Sequence, residues 1–251
     1  MKPGIIYSIC ALLQFTTIFP LGKPVDFDNF AKRSWLFPIS GYVIGSFAAL
    51  PALIAWFFEF ENSFIIAAVT IALTVFISGA NHFDGLLDFG DGIMAHGSRE
   101  KRITALTDRI TGSGALAMGI FVVLISFAAL SSLPVISISI AVICAEVFGK
   151  MSMGLSSALG RPFHDGIHKY IYDLSKRRFA VYTVILALPL LFITPFRTEI
   201  IVSFICAILV FILMLITAKK LFGGVNGDVT GASCEIVKMV VFAVFSVIAA
   251  V

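Results

Sequence analysis

Long apolar segments separated by shorter polar ones dominate the chain. Most are close to the roughly 20 residues that a helix needs to cross the hydrocarbon core of a membrane, where backbone groups must pair within the segment. The candidate segments are residues 3–20, 35–58, 62–80, 112–131, 133–149, 179–195, 199–218 and 236–251. This pattern predicts an all-α, polytopic membrane bundle of about seven to eight membrane segments, with residues 1–251 as a single domain. The first segment also suits a re-entrant or interfacial helix, because it contains Gln14 and two threonines.

Four long polar segments connect these helices and hold nearly all the lysines and arginines. They are residues 21–34, 82–111, 150–178 and 219–235, whereas only Lys2 and Arg197 fall on the opposite side. Loops rich in Lys and Arg remain on the cytoplasmic side of a membrane. We therefore expect a multi-pass protein of the cell membrane with its polar face in the cytoplasm.

Composition supports the membrane class. Hydrophobic residues make up 59% of the 251 residues and charged residues 13%, against about half and a quarter in soluble domains. The formal net charge of +3 is explained by membrane orientation and by attraction to anionic lipid head groups. We expect contact with membrane lipid and no nucleic-acid partner.

A run of aspartates follows the apolar segment 62–80. If that helix continues through the run, Asn81, Asp84, Asp88 and Asp91 fall within an arc of about 80°. Carboxylates on one helix face are suitable ligands for Mg²⁺. We expect Asp84, Asp88 and Asp91 to bind Mg²⁺, and His82, which lies off this face, to form hydrogen bonds around the metal site.

A second acidic cluster lies in the glycine-rich segment 222–235. Asp228 and Glu235 are seven residues apart, which places them on one helix face. Small-residue helix packing explains the glycines of this segment but not its two acids. Asn226, Asp228 and Glu235 are therefore candidates for substrate binding, and Asp228 also for metal binding.

Basic residues near glycines are candidates for phosphate binding. Arg109 precedes a predicted helix start at residues 112–114, where backbone N–H groups suit an anion. Lys150 and Arg161 lie in the next polar segment, and guanidinium and ammonium groups both bind phosphate. His164 and His168 are four residues apart without a third ligand nearby, so we interpret them as ordinary polar loop residues.

The order of these motifs resembles cobalamin synthase, the adenosylcobinamide-GDP ribazoletransferase family, over essentially the whole chain. The acidic run and the segment Gly227 to Ala232 are its specific parts. The chain departs from the family pattern at Thr107, where an aspartate is usual, with Asp108 adjacent. The likeness is found in residues 12–16 with Pro20, 37–39 with Gly41 and Gly45, 82–92, 109–114 and 223–235.

This resemblance implies a transferase late in cobamide assembly, whose expected cofactor from the aspartates is Mg²⁺. A ribose hydroxyl of α-ribazole, or of its 5′-phosphate, attacks the cobinamide-linked phosphate of adenosylcobinamide-GDP, and GMP leaves. Such chemistry needs cations on the phosphates and a base for the hydroxyl. Asp91 is the expected base, Asp228 or Glu235 would complete a second metal site or orient the ribose, and Arg109, Lys150 and Arg161 would bind the guanylyl phosphates. A homo-oligomer, or association with other cobamide-assembly enzymes, is compatible with this function.

Two alternatives remain open at this point. A phospholipid synthase acting on a CDP-linked lipid also uses helical aspartates and Mg²⁺, but its pattern has Ala-Arg where this chain has Leu87-Asp88. A cation-coupled transporter also places acids beside broken helices, usually at mid-membrane depth and often within inverted repeats.

Overall fold

The computed structural model describes residues 4–250, and its regular structure is helical. The described part has no strand, only a single parallel bridge between Pro162 and Val225, so the predicted all-α class is confirmed. Short 3-10 turns interrupt or join some helices. The α-helices are α1 Ile5–Thr16, α2 Asp28–Ala31, α3 Phe37–Phe57, α4 Ser63–Ile77, α5 Asn81–Met94, α6 Arg99–Leu106, α7 Ser113–Ser131, α8 Val135–Leu159, α9 Ile167–Leu174, α10 Phe179–Ala187, α11 Arg197–Leu221 and α12 Gly227–Ala249.

Within residues 4–250, five helices are long and apolar enough to cross a membrane, or six if the bent pair α4 and α5 counts as one span. This is fewer than the seven to eight segments predicted. Helix α1 has 12 residues and is about 18 Å long at 1.5 Å per residue, too short for a hydrocarbon core of about 30 Å. The apolar stretch Phe179–Phe192 is also short. Its α-helical part ends at Ala187, and a 3-10 turn that contains Pro189 follows.

Two polar segments are more helical than predicted. Helix α12 begins at Gly227 rather than at residue 236, so Asp228 and Glu235 belong to the helix. Helix α8 continues to Leu159, which places Lys150 inside a buried helix and not in a cytoplasmic loop. Both extensions carry charged side chains into the helical bundle, where they need partners.

A sharp break separates α4 from α5. The two helices meet at an angle of 93°, and Gly79 and Ala80 between them adopt left-handed backbone angles with φ of 64° and 59°. The expectation that the helix of residues 62–80 continues through the aspartates is therefore wrong. Instead, α5 starts afresh at Asn81 and runs at a steep angle to α4, so its carboxylates do not continue a face of α4.

Small residues bring the central helices into close contact. A Cβ atom added to Gly41 of α3 would lie 2.6 Å from the carbonyl oxygen of Glu146 in α8, and one added to Gly149 of α8 would lie 2.9 Å from the sulfur of Cys234 in α12. Gly231 of α12 packs in the same way on the backbone of His82 in α5. Such close approach is typical of membrane helix packing, and it places α5, α8 and α12 around one region.

Candidate active site

Asp84 of α5 and Asp228 of α12 line the same cavity, which has a volume of about 390 Å³. Gly85 allows this close approach because it has no side chain. A Cβ atom there would lie only 2.9 Å from both the Cα atom and the carbonyl oxygen of Asp228. The cavity is also lined by Asn81 and His82 of α5. Two motifs that are far apart in sequence therefore meet at one site.

Asn226 holds Asp228 in place at the start of α12. Its Oδ1 atom accepts a hydrogen bond of 3.0 Å from the backbone N–H of Val229, which caps the helix. Its Nδ2 atom donates to Oδ2 of Asp228 at 2.7 Å. Since Asn226 is buried, one side chain both begins α12 and orients the carboxylate.

The aspartates form a region of concentrated negative charge. The carboxylate of Asp88 is repelled by those of Asp228, Asp84 and Asp91. Ion pairs found among residues 4–250 involve other acids, namely Asp28, Glu146, Asp165, Asp173 and Glu235. Carboxylate oxygens are the ligand type that Mg²⁺ prefers, so the chemistry of the donors fits this ion, although within residues 4–250 no three of these carboxylates bring ligand atoms within 4.8 Å of one another.

Asp91 is turned toward another helix. Its Oδ2 atom accepts a hydrogen bond of 2.7 Å from the backbone N–H of Gly112, and its Oδ1 atom accepts one of 2.9 Å from that of Ala115. These N–H groups belong to the first turn of α7, which was expected to be open to phosphate. Asp91 thus caps α7, where a negative charge is favoured by the helix dipole.

Lys150 and Glu235 belong to a buried charge network between α8 and α12. Lys150 pairs with Glu146 at 3.3 Å, and Lys238 pairs with both Glu146 and Glu235 at 2.9 Å. All four residues are buried. Two lysines and two glutamates balance each other here, so Lys150 and Glu235 interact with protein groups and do not line the cavity.

His82 lies between this network and the cavity. Its Nδ1 atom is 3.5 Å from Nζ of Lys150, and the residue lines the cavity. Ligand atoms of His82, Cys234 and Glu235 lie within 4.8 Å of one another, but Nζ of Lys150 is also 3.7 Å from the Cys234 sulfur. The lysine ammonium groups therefore supply the positive charge that a metal ion would otherwise bring to these three residues.

The two arginines proposed for phosphate binding are exposed and lie outside the cavity lining. Arg109 is in the segment between α6 and α7. Arg161 follows α8, and its carbonyl oxygen accepts a hydrogen bond of 2.9 Å from the backbone N–H of Val225. This contact places the segment that begins at Gly160 beside the start of α12.

His168 is a cavity residue that the sequence reasoning set aside. It is 5% exposed, its Nε2 atom donates to the carbonyl oxygen of Gly160 at 2.8 Å, and its Nδ1 atom lies 3.3 Å from Oγ1 of Thr230. Burial lowers the pKa of His168 below 6.5, although the bond to Gly160 opposes the shift. His168 and apolar Ile171 are three residues apart and so share one face of α9, which is the sequence signal that His168 faces inward.

Comparison with known proteins identifies the family. The family model described as cobalamin-5-phosphate synthase matches residues 8–246. The chain belongs to this family. Among its relatives, the adenosylcobinamide-GDP ribazoletransferase of Methanococcoides burtonii is 32% identical, with 97% of this chain and 93% of the relative covered. The proteins of the same name from Archaeoglobus fulgidus and Pyrococcus furiosus are 32% and 31% identical, with 91% and 90% of this chain and 92% and 94% of the relatives covered. No solved structure matches.

Membership of the cobalamin-5-phosphate synthase family confirms the resemblance seen in the motifs. The chain is a transferase-family enzyme of cobalamin biosynthesis, and its apolar helices agree with a membrane protein. Family membership therefore supports neither of the two alternatives, a CDP-lipid synthase or a transporter. The residues that carry the family likeness include both Asp84 and Asp228, which the fold brings to one cavity.

Proposed function

We propose that this cobalamin-5-phosphate synthase family member joins adenosylcobinamide-GDP to α-ribazole, or to α-ribazole 5′-phosphate, and releases GMP. One observation supports this most directly: Asp84 and Asp228, from helices far apart in sequence, line one cavity beside Asp88. Their negative charge suits the cation that a pyrophosphate substrate requires. The names of the relatives agree with this choice of substrates.

The proposed reaction transfers the cobinamide-bearing phosphoryl group of adenosylcobinamide-GDP to a ribose hydroxyl, with GMP as the leaving group. The hydroxyl oxygen attacks the phosphorus that bears the cobinamide, a new P–O bond forms, and the P–O bond to GMP breaks. The hydroxyl proton moves to a carboxylate. We assign this role to Asp228, which lines the cavity and is oriented by Asn226, in preference to Asp91, whose two oxygens accept backbone hydrogen bonds from α7.

We further propose that Asp84 and Asp88 hold Mg²⁺, with Asp91 nearby, which leaves Asp228 to accept the proton. A bound Mg²⁺ ion would neutralise phosphate oxygens and stabilise GMP as a leaving group. Arg109 and Arg161 are exposed and remain candidates for the guanylyl phosphates, because guanidinium groups bind phosphate with two hydrogen bonds. Lys150 is a weaker candidate, since it is buried and paired with Glu146.

The site is proposed to face the cytoplasm from the cell membrane. Most lysines and arginines lie in the polar segments that contain α6, α9 and the termini of the site helices, as the positive-inside rule requires. Labelling of single introduced cysteines in intact cells and in inverted vesicles would test this orientation. Cysteines in α6 should react only in inverted vesicles.

The activity is tested with purified protein in lipid nanodiscs. The protein is incubated with Mg²⁺, adenosylcobinamide-GDP and α-ribazole, and GMP and the joined corrinoid are measured by chromatography. Equal amounts of both products are expected, and α-ribazole 5′-phosphate is compared in a parallel reaction. Release of CMP from a CDP-lipid, with neither product formed, would contradict the proposal.

A further inference from the structure

The cavity that contains Asp84 and Asp228 has two chemically different parts. Carboxylates and the amide of Asn81 form a polar part. The other part is apolar and aromatic, with Phe15, Phe37, Met153 and Ile171 contributed by α1, α3, α8 and α9. A metal site alone needs no such apolar part, so the cavity is built for a molecule that also has an aromatic or aliphatic portion.

We propose that this cavity binds the nucleoside acceptor, with its aromatic base against Phe15, Phe37 and Met153 and its ribose toward Asp84 and Asp228. The assignment rests on the proposed function and adds to it the place of one substrate. Aromatic bases pack well against phenylalanine and methionine side chains. The ribose hydroxyl would then lie beside the carboxylate proposed to accept its proton.

The size of the cavity discriminates between the two substrates. Its volume of about 390 Å³ is at the lower end of the range of roughly 300–1,000 Å³ found for small-molecule sites. A nucleoside such as α-ribazole, with about 20 non-hydrogen atoms, is within the size that such a cavity encloses. The corrinoid nucleotide is several times larger, so it must approach from outside, where Asp84 is exposed.

Polar groups in the wall are available to a ribose. His168 donates through Nε2 to Gly160, which leaves Nδ1, 3.3 Å from Oγ1 of Thr230, as the hydrogen-bond acceptor of its neutral ring. Both residues line the cavity, as does Ser157. Gln14 has a different role, because its amide binds the backbone of Lys23 and Val25 and so fixes the loop after α1.

The inference is tested by filling the apolar part of the cavity. Binding of α-ribazole to the protein in nanodiscs, without the corrinoid, is measured by isothermal titration calorimetry for the unmodified protein, Met153→Trp and Leu116→Trp. Leu116 is exposed on α7 and lies outside the cavity, so it controls for the added indole. We expect at least tenfold weaker binding for Met153→Trp only, and a higher KM for α-ribazole with an unchanged KM for the corrinoid.

A second variant covers the case in which Met153→Trp does not fold. Ile167 is 59% exposed and also lines the cavity, so Ile167→Trp should narrow the cavity with little effect on packing and should also weaken α-ribazole binding. The inference is wrong if the unmodified protein does not bind α-ribazole, or if folded variants raise only the KM for the corrinoid. Nucleoside binding that depends on Met153, without any GMP release, would instead support this site and refute the proposed function.

Discussion

Gly85 lies directly on the backbone of Asp228. A Cβ atom at position 85 would come within 2.9 Å of both the Cα atom and the carbonyl oxygen of Asp228, a separation that cannot be accommodated without moving backbone. The contact lies one residue from Asp84, so the position of one acidic motif relative to the other depends on the absence of a side chain. Packing and chemistry are therefore linked at this glycine.

Gly85→Ala is expected to separate α5 from α12 and to lower the rate of GMP release at least tenfold. Overpacking of this kind costs about 1–3 kcal/mol, so the thermal unfolding temperature should fall as well. Gly4→Ala is the matched control, because no atom lies within 4 Å of a Cβ atom at that exposed position. Full activity in Gly85→Ala would show that the two helices need not be this close.

Asp91→Ala should destabilise the protein, because the first turn of α7 loses both of its carboxylate hydrogen bonds. Loss of a helix cap costs about 0.5–2 kcal/mol. Asp91→Asn keeps one acceptor oxygen and should lose less. Thermal unfolding in detergent compares the three proteins, and an unchanged unfolding temperature in Asp91→Ala would contradict the capping role and favour Asp91 as the base after all.

The buried network of Glu146, Lys150, Glu235 and Lys238 predicts a compensating pair of substitutions. Lys150→Met leaves two glutamates to share Lys238, and breaking a buried ion pair costs about 3–5 kcal/mol. Adding Glu146→Gln removes one charge of each sign and should restore part of the stability. Resistance to heat and to protease measures both variants. A double variant no more stable than Lys150→Met would mean that charge balance is not what holds α8 and α12 together.

His168 predicts a pH dependence of stability. Burial lowers the pKa of the folded imidazole below 6.5, so the unfolded chain binds a proton that the folded protein does not. Stability from this residue is therefore complete above about pH 6.5 and is lost as the pH falls toward the folded pKa. Unfolding temperatures measured between about pH 8 and 5 should fall less in His168→Gln than in the unmodified protein. Parallel curves for the two proteins would contradict this assignment.

The helical class, and the helical arrangement of Asp84, Asp88 and Asp91, are predictable from the sequence because both follow from local hydrophobic and polar periodicity. The break at Gly79 and Ala80 is not predictable in this way, since the left-handed conformation of an alanine depends on its surroundings. The prediction that Lys150 lies in a polar loop is wrong, although Glu146, four residues before it, is a possible partner on the same helix face.

The cap formed by Asp91 on α7 and the inward position of His168 depend on contacts between elements far apart in the chain. No local pattern contains this information. For Asp228, the family resemblance indicates that the residue is functional, and the fold shows that it shares a cavity with Asp84. The sequence thus predicts which residues belong to the site but not how they are arranged in space.

The most direct measurement is the Mg²⁺ dependence of GMP release in nanodiscs, for the unmodified protein and for Asp84→Asn, Asp88→Asn and Asp173→Asn. Asp173 is exposed and pairs with Lys169, so its substitution controls for the loss of a charge. GMP release should stop when a chelator removes Mg²⁺ and resume when Mg²⁺ is restored. It should fall by at least about 100-fold in Asp84→Asn and Asp88→Asn, with unchanged unfolding temperatures, and remain normal in Asp173→Asn. Near-normal GMP release in the presence of chelator, or in either Asp84→Asn or Asp88→Asn, would contradict a Mg²⁺-dependent carboxylate site.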